Sequence, residues 1–165
     1  MSIARLSVRR LIRQAGNQPG PTWRNTMRFM MLMIPKGYEK AAAGTMPSAK
    51  AVEAMMKYNQ SLQKAGVLLA LDGLHPPATG ARVSFRGGKP KVEDGPFAEA
   101  KEVVGGYWLI QVRSREEAIE WASRCPASDN EVIEVRQVQE FGDFPDDVQA
   151  AIGEFPALHR QTGAA

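Results

Sequence analysis

Short apolar runs and one helical repeat divide the first part of the chain into elements. Met27 to Ile34 is an apolar run whose length favours a central β-strand, covered on both faces, over a helix. From Ala51 to Ala65, apolar side chains recur every three or four residues, which predicts an amphipathic helix. Ser48 is placed to cap this helix and Gly66 to end it.

A strand, a β-hairpin and a longer strand follow this helix. Val67 to Leu71 is again apolar and strand-like. Ala81 to Phe85 then meets Lys89 to Val92 across Gly87-Gly88, a pair that readily adopts the positive φ angles of a tight hairpin. Glu102 to Val112 predicts a longer strand with two alternating faces. One face carries Tyr107, Leu109 and Gln111, and the other carries Trp108, Ile110 and Val112.

A capping box marks the clearest helix start in the chain. Ser114 and Glu117 form an S-x-x-E pattern, in which the hydroxyl and the carboxylate satisfy amides that the first helical turn leaves unpaired. Pro126 stops this helix, and Glu131 to Val138 predicts the last strand. Pro145 opens a short terminal helix. The capped helix is expected to bury Ala118, Ile119, Trp121 and Ala122.

The order of these elements is strand, helix, strand, hairpin, strand, helix, strand. It predicts an α+β fold, the ferredoxin-like split β-α-β arrangement with an inserted β-hairpin. Two helices on one face of a single sheet leave the other face uncovered. The apolar side chains expected on that face are Phe29 or Met30 and Leu109 or Ile110. We expect a second copy of the chain to cover them, which predicts a homodimer.

The positive charge of the chain is concentrated before Met27. The net charge is +3, but residues 1–26 contain five arginines and no acidic residue, so the remainder carries −2. We divide the chain into a flexible basic extension over 1–26, a domain over 27–142, and a short C-terminal helix and tail over 143–165. The extension is a transit peptide or nucleic-acid-binding arm, or it reflects a start codon upstream of a natural start at Met27.

The most distinctive motif is Asp94-Gly95-Pro96-Phe97, within the passage from Val92 to Ile110. This passage resembles the signature of the YCII-related family, in its DGPF subgroup. The resemblance covers about residues 27 to 142. It continues through Ser114 to Pro126 and Glu131 to Arg136, and upstream it includes Met27 to Ile34 and Gly73 to Pro77.

The resemblance implies a ferredoxin-like α+β fold that pairs through its sheets into a dimeric α/β barrel. Some relatives are linked with alternative sigma factors by fusion or gene neighbourhood, which implies a link to transcription regulation. Others are proposed as enzymes because a His and an Asp face a cleft. The usual His of the broader family lies before or at the start of the first helix, and residues 44–52 contain none.

Three residues near the strand ends are the candidates for acid–base chemistry. Asp72 and His75 lie close enough in sequence for the carboxylate to orient the imidazole, although His75 is also typical of an exposed turn before two prolines. Asp94 offers a carboxylate beside loop amides that could bind a small anion. The Asp-Gly-Pro-Phe pattern is typical first of a structural turn, in which Phe97 pins the loop, and anion binding is the alternative.

Candidate ligand-binding residues come from the motif and from the aromatic side chains. We select Gly95, Pro96 and Phe97 of the motif, together with Tyr58 and Tyr107, which could line a mostly apolar pocket with polar tips. Trp108 is better explained by packing. The Gly105-Gly106 pair lacks the pattern of a phosphate loop and indicates close backbone approach or a strand bulge.

Other chemistries find little support in the sequence. The single cysteine, Cys125, cannot form an internal disulfide, and it is interpreted as a small packed hydrophobe. Two distant His residues and one Cys give no familiar metal-ligand spacing, and no cofactor is predicted. His159 lies near the end of the chain and carries little weight. No apolar stretch has the length of a membrane span, so we expect a soluble, cytoplasmic protein.

Three functional hypotheses follow. The first is a homodimeric small-ligand-binding or accessory module linked to sigma-factor regulation. The second is a small-molecule enzyme in which Asp72, His75 and Asp94 act as acid–base groups in a cleft. The third is nucleic-acid binding, which we expect only through the arginine-rich extension.

Overall fold

The computed structural model describes residues 26–156 and shows an α+β fold with antiparallel sheets. The predicted extension up to Asn25 and the tail after Pro156, including His159, lie outside the described residues. The strands are β1 Met27–Ile34, β2 Leu68–Gly73, β3 Ala81–Arg86, β4 Lys89–Asp94, β5 Gly106–Val112 and β6 Val132–Gln137. The helices are α1 Ala49–Lys64, α2 Arg115–Ser123 and α3 Asp146–Gly153.

Four strands form one sheet in the order β2-β5-β1-β6, with every neighbouring pair antiparallel. The register places Met30 of β1 between Leu109 of β5 and Arg136 of β6. β3 and β4 form a separate two-stranded sheet, which confirms the predicted hairpin. Gly87 and Gly88 form its turn with φ of 57° and 75°, angles that favour glycine.

The helix boundaries follow the capping signals. The Ser48 hydroxyl oxygen accepts a hydrogen bond from the Ala51 amide at 3.2 Å, and Gly66 follows α1 with φ of 71°. At α2, Ser114 Oγ accepts the Glu117 amide at 3.1 Å. The Glu117 carboxylate accepts the Arg113 amide at 3.0 Å, one residue before the position that a standard capping box uses. This hydrogen bond lowers the pKa of Glu117 from its ordinary value.

The hydrophobic core lies between one face of the sheet and the helices. Alternate residues of the two central strands face it, namely Phe29, Met31, Met33, Trp108, Ile110 and Val112. Helix α1 contributes Tyr58 and Leu62, and α2 contributes Ala118 and Trp121. The prediction that Ile119 is buried is wrong, since this side chain is 37% exposed. Ala118 and Trp121 are three residues apart and define the buried stripe of a short helix, and Ile119 lies to one side of it.

Two hydrogen bonds satisfy polar atoms inside this core. The Tyr58 hydroxyl donates to the Trp121 carbonyl oxygen at 2.9 Å. Trp108 Nε1 donates to Asn59 Oδ1 at 2.8 Å. The Tyr58 and Trp108 rings also meet edge to face, with centroids 5.8 Å apart. These contacts tie α1 to both β5 and α2.

The second face of the sheet has no layer packed on it among the described residues. We call it the open face. Met30 and Leu109 stand on it, while their alternatives Phe29 and Ile110 lie in the core. The side chains at its centre are half-buried, and all are apolar except Tyr107, which carries a hydroxyl. They are Met30, Leu32, Ile34, Ala70, Tyr107 and Leu109. Glu134 and Arg136 lie at its β6 edge.

Strand β5 is shorter than predicted, beginning at Gly106 instead of Glu102. β2 ends at Gly73, which pairs with Gly106, and β1 extends only one residue past Met33, so residues 102–104 lie beyond both strands. Gly105 still donates its amide to the Met33 carbonyl oxygen at 2.8 Å. The predicted close approach at the two glycines is present. A Cβ on Gly105 would lie 2.6 Å from Pro35 Cγ, and one on Gly106 would lie 3.0 Å from a backbone oxygen of Asp72.

Candidate functional site

The first group of candidate residues lies where β2 ends and β5 begins. Asp72 pairs with Tyr107 across these two strands, on the open face. The Tyr107 hydroxyl donates to Asp72 Oδ2 at 2.8 Å. This hydrogen bond and the negative charge of Asp72 raise the pKa of Tyr107, because both disfavour the phenolate. The pair is therefore a preformed polar element in a largely apolar surface.

A braced loop after β2 presents His75. The Leu74 amide donates to the Gly105 carbonyl oxygen at 2.8 Å, and the Tyr38 hydroxyl donates to the Leu74 carbonyl oxygen at 2.7 Å. Pro76 is fully buried behind the exposed His75. The backbone on both sides of His75 is thus held in place while the imidazole stays accessible.

The Asp-Gly-Pro-Phe motif packs against this loop. The Gly95 amide donates to the Gly80 carbonyl oxygen at 2.8 Å, so it is not free to bind an anion. A Cβ on Gly95 would overlap the Pro77 carbonyl group, with its carbon 2.7 Å away. Only glycine fits this close approach of two backbones. The structure therefore supports the structural interpretation of the motif at Gly95.

Phe97 extends from the motif into a cleft of about 510 Å³. The Arg82 guanidinium of β3 lies over the Phe97 ring, 4.1 Å from its centroid, in a cation–π contact. The side chains of His75, Arg82 and Glu102 contribute polar and charged groups to the lining. The rest of the lining is mostly apolar, with Leu74, Pro76, Pro77, Thr79, Gly80, Val103 and Val104. We call it the hairpin-base cleft.

This cleft brings together only two of the residues that the sequence selects, His75 and Phe97. Asp94 is exposed at the end of β4, paired with Ala81, and does not line it. Pro96 is exposed beside Gly95. The chemistry available in the cleft is an imidazole, a guanidinium and a carboxylate around an apolar floor.

The remaining candidates lie elsewhere. Tyr107 and Asp72 belong to the open face, as described above. Tyr58 is 6% exposed and lies in the core on the other side of the sheet, where burial raises its pKa. Among the described residues, no hydrogen bond or ion pair joins Asp72 to His75, because the carboxylate is bonded to Tyr107 instead.

Sequence reasoning missed two charged residues of the cleft. Arg82 lies on the polar face of an alternating strand, and Glu102 lies just before β5, in the segment that the sequence predicts to be part of that strand. The alternation of Arg82 with Val83 indicates which face it occupies, but no local signal indicates that Phe97 lies beneath it. Within residues 26–156, no group of three or more His, Cys, Asp or Glu residues is arranged to hold a metal ion.

Comparison with known proteins shows the family of this domain. The model of the YCII-related domain matches residues 27–142. The chain belongs to the YCII-related family. Met27 to Phe141, and with them the sheet, α1, α2, the hairpin and the motif loop, all fall inside the matched range. Helix α3 falls outside it.

One curated protein is similar to part of the chain. The uncharacterized protein R00369 of Rhizobium meliloti (strain 1021) is 39% identical over 59 residues. The similar region is 36% of this chain and 48% of that protein, so the chain spans about half the length of the curated relative it matches. In the part of the chain that the structure covers, no helix has both the length and the apolar character of a membrane span.

Proposed function

We propose that this YCII-related protein is a homodimeric module that binds a small ligand in the hairpin-base cleft. The strand order β2-β5-β1-β6, with two helices on one face, supports a ferredoxin-like arrangement in which two sheets pair into a dimeric barrel. The family resemblance further supports an accessory role linked to sigma-factor regulation in the cytoplasm. The open face is the observation that carries the dimer.

The open face suits a second copy because its apolar centre is bounded by charge. Met30, Leu32 and Leu109 lie at its middle, and Arg136 and Glu134 lie on the β6 side. A two-fold axis would bury each apolar centre against its equivalent and leave the charged edge near solvent. Burial at about 25 cal/mol per Å² of apolar surface then drives the association.

Sedimentation of the wild-type protein and of Leu109→Arg tests the dimer. We expect the wild type to be a dimer at micromolar concentration and Leu109→Arg to be a folded monomer, because the new charge would be buried without a partner. Ile119→Arg is the matched control, since Ile119 is exposed on α2 away from the open face, and it should remain dimeric. A wild type that sediments as a monomer contradicts the proposal.

The hairpin-base cleft favours a small ligand with an apolar body and an anionic group. Phe97, Pro76 and Val104 supply the apolar surface. Arg82 and His75 supply the donors that a carboxylate would need. Glu102 at the rim would disfavour a second negative charge. A monoanionic aromatic or aliphatic acid has this combination.

Thermal shift with a panel of small carboxylic acids, such as benzoate and hexanoate, tests this site. An acid that stabilises the wild type should lose its effect in Phe97→Ala and in Arg82→Gln, because the apolar floor and the cation are removed. Lys91→Gln removes a cation from the same face of the hairpin but outside the cleft lining, and it should bind as the wild type does. Equal stabilisation of all variants would place the ligand elsewhere.

The enzymatic alternative has one supporting observation. His75 is exposed in the cleft, and the Asp72–Tyr107 pair lies at the same end of the sheet. In this alternative, Asp72, His75 and Asp94 would exchange protons with a bound substrate. A metabolite panel that detects turnover would favour it only if His75→Asn or Asp94→Asn abolishes the reaction. Ligand binding without turnover in the same panel favours the binding module.

A further inference from the structure

The hairpin formed by β3 and β4, residues 81–94, is here called the arm. Every residue of both strands is exposed. The arm is held at its base, where the Gly95 amide donates to the Gly80 carbonyl oxygen and Arg82 lies over Phe97. An isolated two-stranded ribbon is at best marginally stable in water. Packing against a further surface would therefore stabilise the arm beyond its base.

The two faces of the arm differ in character. Val83 pairs with Val92 and Phe85 with Pro90, and these four share one apolar face. Phe85 is 75% exposed, Val92 63% and Val83 54%. Among the described residues, no other pair of adjacent strands has as many large apolar side chains exposed. The other face carries Arg82, and its contact with Phe97 turns that polar face toward the chain's own cleft. The apolar face consequently points away from the body of its own protomer.

Charge indicates what the arm packs against. Within the described residues, the arm has four basic and two acidic side chains, a net charge of +2. The described residues outside it have eleven basic and sixteen acidic side chains, a net charge of −5. A positive arm on a negative body is complementary to the body of a second copy of the same chain.

One part of the body combines negative charge with an exposed aromatic ring. Residues 138–156, here called the C-terminal segment, contain five acidic residues and no Lys or Arg. Phe155 in this segment is 59% exposed. Asp143, Asp146, Asp147 and Glu154 are exposed as well. Both the apolar surface and the charge that the arm requires are present there.

The positions of arm and segment fit a two-fold dimer. The arm leaves the sheet where β2 ends and β5 begins, beside Met33 at the end of β1. The C-terminal segment leaves at the opposite end, where the Val138 amide donates to the Arg28 carbonyl oxygen at 2.9 Å. Two sheets stacked with antiparallel strand directions would bring the arm of each copy over the segment of its partner.

From the exposed apolar face, the charge and the two positions, we infer that the arm of each protomer docks on the C-terminal segment of a second copy. The inference rests on the proposed homodimer and adds a second contact outside the open face. Lys89 and Lys91 lie on the polar face of the arm with Arg82, opposite the docked apolar face, so their charge would act on the partner's acids across the ribbon, over distances comparable to the Debye length of about 10 Å at 0.1 M salt. Phe85 would be the buried anchor.

Dimer dissociation constants, measured by sedimentation on the full chain, test the inference. We expect Phe85→Ser to raise the dissociation constant about tenfold or more, because it removes the anchor. Lys89→Glu/Lys91→Glu should raise it by a similar factor. Adding Asp146→Lys/Asp147→Lys to the charge-reversed arm should restore tight association. The control Lys50→Glu/Lys64→Glu makes the same charge change on exposed positions of α1 and should not differ from the wild type.

The outcomes separate the arm from the open face. A wild-type monomer overturns the proposed dimer itself. A wild-type dimer whose affinity is unchanged by both arm variants overturns the arm contact and leaves the open-face dimer standing. Weakening by the arm variants without restoration by the aspartate reversals overturns the assignment to the C-terminal segment. Circular dichroism should show native folding throughout, since no substituted side chain lies in the core.

Discussion

The Tyr107 hydroxyl donates to the Asp72 carboxylate at 2.8 Å, across two strands whose sequence positions are 35 residues apart. Asp72 is therefore not the partner of nearby His75 but of a tyrosine on the adjacent strand. In the proposed dimer, this pair would enter an apolar interface with its hydrogen bond already formed, which reduces the free-energy cost of burying the two polar groups. The acid–base character of His75 then depends on the hairpin-base cleft and not on Asp72.

Replacing Asp72 should change the titration of Tyr107. We expect Asp72→Asn to lower the pKa of Tyr107 toward its ordinary value, because the charge that disfavours the phenolate is removed. The rise of tyrosinate absorbance with pH measures this, and Tyr107→Phe identifies which step belongs to Tyr107. Asp94→Asn removes an exposed acid elsewhere and should leave the tyrosinate curve unchanged.

Asn59 should be important for stability because it is the acceptor for a buried indole. We expect Asn59→Ala to lower the free energy of unfolding by about 1–3 kcal/mol, the usual cost of an unsatisfied buried donor, here Trp108 Nε1. Gln60→Ala, at the next and exposed position of α1, should stay within about 0.5 kcal/mol of the wild type. Urea denaturation compares the two, and equal losses would contradict the role of the hydrogen bond.

Neighbouring residues on opposite faces of β5 should respond differently to truncation. Ile110 is fully buried in the core, so Ile110→Ala should cost about 2–5 kcal/mol of unfolding free energy. Leu109 is half-buried on the open face. At protein concentrations low enough for the monomer to predominate, Leu109→Ala should lower the free energy of unfolding less than Ile110→Ala does, and its main effect should be to weaken the dimer. Denaturation and sedimentation of both variants check this, and the reverse order would mean that the two faces are misassigned.

Gly95 should tolerate no side chain. Gly95→Ala places a methyl group against the Pro77 carbonyl, and we expect a loss of about 1–3 kcal/mol, as for overpacked sites. Gly153→Ala is the matched control, since a Cβ at the end of α3 has nothing within 4 Å, and it should be neutral or slightly stabilising. Thermal unfolding of both proteins measures the difference. A Gly95→Ala protein as stable as the control would contradict the close approach.

Cys125 should make stability fall in alkaline solution. Burial, with a smaller effect of Glu131, raises the pKa of its thiol from 9.0 to about 11. As the pH rises, the unfolded chain therefore loses this proton before the folded protein does. The protonated thiol contributes to the free energy of unfolding below pH 9, and this contribution is lost as the pH rises to about 11. Unfolding free energies across this window should fall more steeply for the wild type than for Cys125→Ala. Parallel curves would show that the thiol is not protected.

Much of the fold could be predicted because local patterns agree with the final packing. The alternation in β5, the Ser114 cap and the Gly87-Gly88 turn each identify their element correctly. The continuous apolar run of β1 also identifies its strand, Met27–Ile34, but it does not assign the faces, since Phe29 and Met30 are both apolar and nothing local distinguishes them. Only the pairing with β5 and β6 assigns Phe29 to the core.

Less of the candidate site could be predicted, because its geometry depends on contacts between distant segments. His75 and Phe97 meet only because the motif loop folds back on residues 77–80. Arg82 joins them through a cation–π contact that no spacing rule indicates. The amphipathic character of Tyr58 predicts a pocket residue, yet the same character suits its buried hydrogen bond to the Trp121 carbonyl oxygen.

The paired bonds between Arg28 and Glu140, at 2.7 and 2.9 Å, join the beginning of the family domain to its end. Both chain exits therefore lie together, at the end of the sheet remote from the hairpin-base cleft. Within one protomer, anything attached at either exit is therefore separated from the cleft by the length of the sheet.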